Sequence, residues 1–88
     1  MKIRVFFFGR ARDLANGRIM VDLELNRKIT LRELFEILGK KVNPKIKRAI
    51  LDKTDLFVVS VNYEHVGDYD IKLKDGDTVA VLQPDAGG

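Results

Sequence analysis

Residues 18–38, R-I-M-V-D-L-E-L-N-R-K-I-T-L-R-E-L-F-E-I-L, change their hydrophobic period in mid-course, and that change decides the fold class. Ile19, Val21, Leu23 and Leu25 alternate with Arg18, Met20, Asp22 and Glu24, the period-two pattern of a half-buried strand. From Thr30 the apolar residues fall instead at Leu31, Leu34, Phe35 and Leu38, one stripe of an α-helix. Thr30 and Glu33 stand in T-x-x-E spacing, which predicts a capping box at the helix start. Gly39 is expected to close the helix as a left-handed cap.

Outward from this stretch the remaining elements fall into place. Upstream, Ile3, Val5 and Phe7 alternate with Lys2, Arg4, Phe6 and Phe8, which predicts a first strand pairing antiparallel with the second. Residues 9–17, ending in Asn16–Gly17, carry turn chemistry between them. Downstream, Asn43–Pro44 reads as the cap and first residue of a short second helix with Ile46, Ala49 and Ile50 facing inward. Leu56 to Val61 predicts a third strand, Asp75–Gly76–Asp77 a turn, and Thr78 to Leu82 a closing strand with Val79 and Val81 inward. Pro84 ends that strand because it has no N–H for a ladder. The class is α+β, with a mixed sheet of about four to five strands, one main helix on one face and a short second helix. The β-grasp is such an arrangement. Residues 1–84 are expected to form the domain and 85–88 a flexible tail.

The totals limit the chemistry. Eighty-eight residues close one core. With no cysteine and the single histidine His65, thiolate chemistry and a multi-histidine metal centre are excluded, so no metal is expected. No apolar run approaches a membrane span and no signal peptide is evident, which leaves a cytoplasmic location as the expectation. Charge is sorted along the chain. Residues 1–53 hold 14 Lys/Arg against 6 Asp/Glu, a net +8, and residues 54–88 hold 2 against 7, a net −5. Beyond the Phe6–Phe8 run of the first strand and Phe35 of the helix stripe, the basic part has no aromatic residues interleaved for base stacking, so a nucleic-acid partner is not expected. His65, with no nearby Ser or Cys, reads as a surface turn residue, and Asp68, Asp70, Asp75 and Asp77 as turn formers rather than a calcium loop. What remains is the end of the chain. Gly87–Gly88 is thin enough to enter a narrow channel, and a terminal glycine carboxylate is unhindered for attack on ATP.

These residues resemble the MoaD/ThiS family of ubiquitin-like sulfur carriers, most closely its molybdopterin synthase small-subunit branch. The resemblance rests on K-I-R-V-F-F-F-G-R-A-R-D-L (2–14), T-L-R-E-L (30–34), Val61–Asn62, D-G-D-T-V (75–79) and the closing Q-P-D-A-G-G (83–88). The family tail is commonly P-P-x-A-G-G; here Gln83 replaces the first proline and Asp85 stands beside the reactive end. The resemblance implies that the Gly88 carboxylate is adenylated by a MoeB-like adenylyltransferase using ATP and magnesium, with no cofactor bound by the carrier itself. A sulfurtransferase step then yields a thiocarboxylate. The tail Asp85, Ala86, Gly87, Gly88 is implied to enter the active site of a MoaE-like large subunit, in a heterotetramer, and to give sulfur to cyclic pyranopterin monophosphate, the catalytic residues being the partner's. A protein modifier joined through Gly88 to lysines shares fold, tail and activation and is the alternative. Strand parity adds a docking expectation: Phe6, Phe8 and Leu82 point outward as an apolar patch at the tail root, with Asp75, Asp77 and Asp85 as an acidic complement to a basic entrance.

Overall fold

A computed structural model describes residues 1–84; the tail positions Asp85, Ala86, Gly87 and Gly88 lie outside the described residues. Five strands, β1 (Lys2–Phe7), β2 (Met20–Glu24), β3 (Val58–Val61), β4 (Glu64–Val66) and β5 (Thr78–Leu82), form one sheet in the order β2-β1-β5-β3-β4. β1 and β5 lie parallel at its centre, with Val5 opposite Val79 and Phe7 opposite Val81, while the other neighbours are antiparallel. Helices α1 (Leu31–Lys41) and α2 (Pro44–Ile50) cover one face. This is the β-grasp arrangement.

The alternation seen in the sequence sets the faces. Ile3, Val5 and Phe7 of β1 and Val79 and Val81 of β5 are buried against Leu31, Leu34, Phe35 and Leu38 of α1. α1 starts where the capping box predicts. The Thr30 hydroxyl accepts from the Glu33 N–H at 3.1 Å, and the Glu33 carboxylate accepts from the Thr30 N–H at 3.0 Å. That second bond, reinforced by Arg27, holds the Glu33 carboxyl below its ordinary range. Asn43 caps α2 by accepting from the Lys45 N–H, with Pro44 in the first turn. The segment 69–73 runs beside the start of α1, with the Leu31 and Arg32 N–H groups donating to the carbonyls of Ile71 and Tyr69.

Several local expectations are corrected. Gly39 is not a C-terminal cap: α1 continues to Lys41, and Gly39 is buried where a Cβ would meet the Lys47 Cβ at 3.0 Å. Its missing side chain lets α2 approach α1. Residues 9–17 are more than a turn, since Gly9–Ala15 form a 3-10 helix that buries Ala11, Leu14 and Ala15 before Asn16 and Gly17 reverse the chain at positive φ. Ile19 is 52% exposed, because it precedes β2 at an uncovered corner of the sheet. Leu56 is also exposed and outside β3, whose ladder to β5 ends at the Val58–Leu82 pair. β4 was not anticipated. It follows a two-residue turn, Asn62–Tyr63, with both residues at positive φ (51° and 70°). A tyrosine at the second turn position lacks the glycine that usually betrays such a hairpin.

Candidate functional site

The face of the sheet away from the helices carries the outward-pointing residues of every strand. Near the end of β5 these are apolar. Phe6 and Phe8 stack with ring centroids 5.5 Å apart and an interplanar angle of 7°. Register places Met20 on one side of Phe6 and Ala80 on the other, and pairs Leu82 with Val58. Phe8 and Met20 are exposed; Phe6, Ala80, Leu82 and Val58 are half-buried. The expected patch of Phe6, Phe8 and Leu82 is therefore brought together, and it lies where the chain leaves β5 for Gln83 and Pro84. Met20 and Val58 join it, which the sequence reading missed. Met20 shares the parity of Phe6, but only the observed register puts the two opposite each other.

Asp75 and Asp77 are not brought to that place. They precede β5, whereas the tail departs after its last residue, about 16 Å away at ~3.3 Å per strand residue. Both are engaged within the chain. Asp75 accepts from the Lys2 N–H at 2.7 Å. Asp77, buried, accepts from the Lys74 N–H at 2.7 Å and the Asn62 side-chain amide at 2.9 Å, and Asn62 in turn accepts from the Thr78 N–H. At the same end Arg4 grips Asp22 with bonds of 2.8 and 3.1 Å, which holds the Asp22 carboxyl below its ordinary range. Asp85 and the glycines lie outside the described residues.

His65 sits on strand β4 opposite Ser60, exposed, rather than in a turn as expected. Asp68 accepts from the Asp70 N–H and Asp70 pairs with Arg32, the work of turn formers. Among the described residues no cluster of three potential metal ligands occurs, and no helix is long and apolar enough to cross a membrane. The cations of the basic segment, Lys40, Lys41, Lys45, Lys47 and Arg48, are exposed on the helical side, away from the apolar strip. Nothing among the described residues assembles an acid, a base and a nucleophile. The geometry leaves an uncovered apolar strip beside the end of β5.

A central parallel pair, a helix across one face and an apolar open face define a ubiquitin-like β-grasp protein. The chain belongs to the ThiS family, whose model matches residues 5–88, that is, through to Gly88. Among solved structures it is similar to a putative molybdopterin converting factor, subunit 1, from Pyrococcus furiosus, at 33% identity and a TM-score of 0.75 over 94% of this chain and 97% of that one. It also resembles a chain in the complex of subunits 1 and 2 of molybdopterin-converting factor from Helicobacter pylori, at 26% identity and a TM-score of 0.68 over the whole of both. The small archaeal modifier protein 1 of H. volcanii shares the fold, with a TM-score of 0.73 at 19% identity over 94% of this chain and 97% of that one. No curated protein matches the sequence.

Proposed function

We propose that this chain is a sulfur carrier for molybdopterin formation that works through Gly88. The observation that carries the reading is a family match that runs through to Gly88, together with a one-third identical solved structure described as a putative molybdopterin converting factor, subunit 1. A Gly88 carboxylate oxygen attacks the α-phosphorus of ATP on a MoeB-like adenylyltransferase that uses magnesium, and pyrophosphate leaves. The persulfide of a sulfurtransferase then displaces AMP to give an acyl disulfide, and a second thiol on that enzyme side cleaves the S–S bond, leaving the thiocarboxylate on Gly88 and an enzyme disulfide. A cysteine-free chain suits this route, since sulfur travels on the terminus and not as a persulfide on the carrier.

Delivery calls for a second enzyme surface. The related H. pylori chain is found in a complex of subunits 1 and 2, and the Phe6–Phe8–Leu82 strip is the surface on which we place a MoaE-like large subunit. With Phe8 38% exposed and Phe6 half-buried, covering what remains of the two rings is worth ~1–2 kcal/mol, a contribution to anchoring a docked complex. Docked there, the partner receives the tail and supplies the catalytic groups that pass sulfur to the pyranopterin.

Mass spectrometry of the C-terminal peptide from cells making the protein tests the proposal. Replacement of one terminal oxygen by sulfur is the expected result. Gly88 found in isopeptide linkage to lysines of other proteins, with no thiocarboxylate, would overturn it in favour of a protein modifier.

A further inference from the structure

The chain leaving β5 is held once more before the tail begins. Oε1 of Gln83 accepts a hydrogen bond from the Arg10 backbone N–H at 2.6 Å. That N–H belongs to the first turn of the 3-10 helix, where backbone donors have no partner within the helix. Phe8, at the cap position, has no side chain to accept it, so the acceptor comes from 73 residues away. Gly9 makes room. Its φ is +57°, and a Cβ there would lie 2.6 Å from Gln83 Oε1 and 3.3 Å from Cδ, so the amide rests against bare backbone. The ladder leads into this contact, because the Phe8 N–H donates to the Val81 carbonyl at 3.0 Å. Arg10 is itself tied down, its guanidinium 5.4 Å from the centre of the Phe57 ring and 3.4 Å from the Asp55 carboxylate. That ion pair is exposed and worth little alone, yet it restrains the residue whose N–H Gln83 uses.

We infer that Gln83 is a positioning residue. Its amide, seated on Gly9 and bonded to Arg10, pins the root of the tail and so sets the direction and reach with which Gly88 is presented to the activating enzyme. The inference rests on the sulfur-carrier reading of Gly88. With Gln83 held, five residues separate it from the reacting carboxylate, a reach of at most ~18 Å at ~3.6 Å per residue. A tail fixed at its root has less freedom to lose on entering a channel, which favours binding rather than the chemical step. The effect of losing the contact therefore falls on KM and not on kcat.

The experiment compares the full-length chain with its Gln83→Ala and Gln83→Glu variants in two measurements. One is hydrogen exchange of the Arg10 amide by NMR. The other is ATP-dependent pyrophosphate release with a purified MoeB-like adenylyltransferase. In Gln83→Ala the Arg10 amide is expected to exchange about tenfold faster while Val79 and Val81 keep their protection, and KM for the carrier to rise about three- to tenfold at constant kcat. Gln83→Glu keeps an acceptor at the same place and restores both. Unchanged Arg10 protection in Gln83→Ala overturns the contact, and lost protection with unchanged KM overturns the positioning role. A wild-type chain that is never adenylated, with Arg10 still protected, overturns the sulfur-carrier reading and the positioning role with it.

Discussion

The central β1–β5 pair has two ends, and the side chains gathered at them behave differently. Where the two strands begin, polar groups satisfy one another: Arg4 with Asp22, Asp75 with the Lys2 N–H, and Asp77 with Asn62 and the Lys74 N–H. Where they finish, Phe6, Phe8, Met20, Leu82 and Val58 present apolar surface without cover. One end closes on itself and contributes to stability; the other leaves apolar surface facing water.

The comparison breaks most readily at the apolar end. Phe8→Arg is expected to weaken binding to a MoaE-like large subunit about 100-fold, ~2.7 kcal/mol, by removing one anchor ring and placing a charge in the contact. Its urea denaturation midpoint should stay near that of the wild type, because Phe8 is already exposed. Undiminished affinity in calorimetry would move the docking surface elsewhere. The opposite pattern is expected for Asp77→Ala, which orphans the Asn62 amide and the Lys74 N–H: a loss of about 1–3 kcal/mol in stability with partner affinity kept. Should Asp77→Ala instead lose affinity and keep stability, the acidic residues regain the docking role that the sequence suggested for them.

Smaller effects sharpen the same contrast. Tyr63, 90% exposed at a φ of 70°, occupies a turn position where glycine is relaxed. Tyr63→Gly should raise the thermal midpoint, by about 0.5–1 kcal/mol in stability, and leave docking untouched. The smallest effect concerns Asp22. Its carboxyl titrates below the ordinary 3.8 because Arg4 bonds to it, so the pair adds stability above that pH and loses it as the pH falls through the lowered value. Denaturation across pH 2–6 is therefore expected to show wild type and Asp22→Asn converging in acid below about 3.8 and parting above it.

Much of this was legible in one dimension. The alternation of β1 and β5, the Thr30–Glu33 capping box and the Asn43–Pro44 start of α2 all depend on neighbours within a few residues, and each stands where the sequence puts it, while in β2 Ile19 falls outside the strand. Reading failed where a local signal had a distant purpose. Gly39 looks like a helix terminator, but its lack of a side chain serves the approach of α2. Residues 9–17 look like a loop because their apolar content is only Ala11, Leu14 and Ala15, too sparse to show a period, yet all three are buried. β4 hid behind a turn with no glycine.

The amino-acid order by itself determined β1, β5, α1 and α2, the side of each that faces the core, and the Gly87–Gly88 pair on which the functional reading turns. Hydrophobic period and capping act over three or four residues, so the chain states them directly. Only the tertiary structure decided that Phe6 and Phe8 meet Met20 and Leu82, that Asp75 and Asp77 lie a strand's length from the tail root, and that Gln83 reaches Arg10 across 73 residues. Those placements follow from strand order and register, which depend on packing all the inward faces at once.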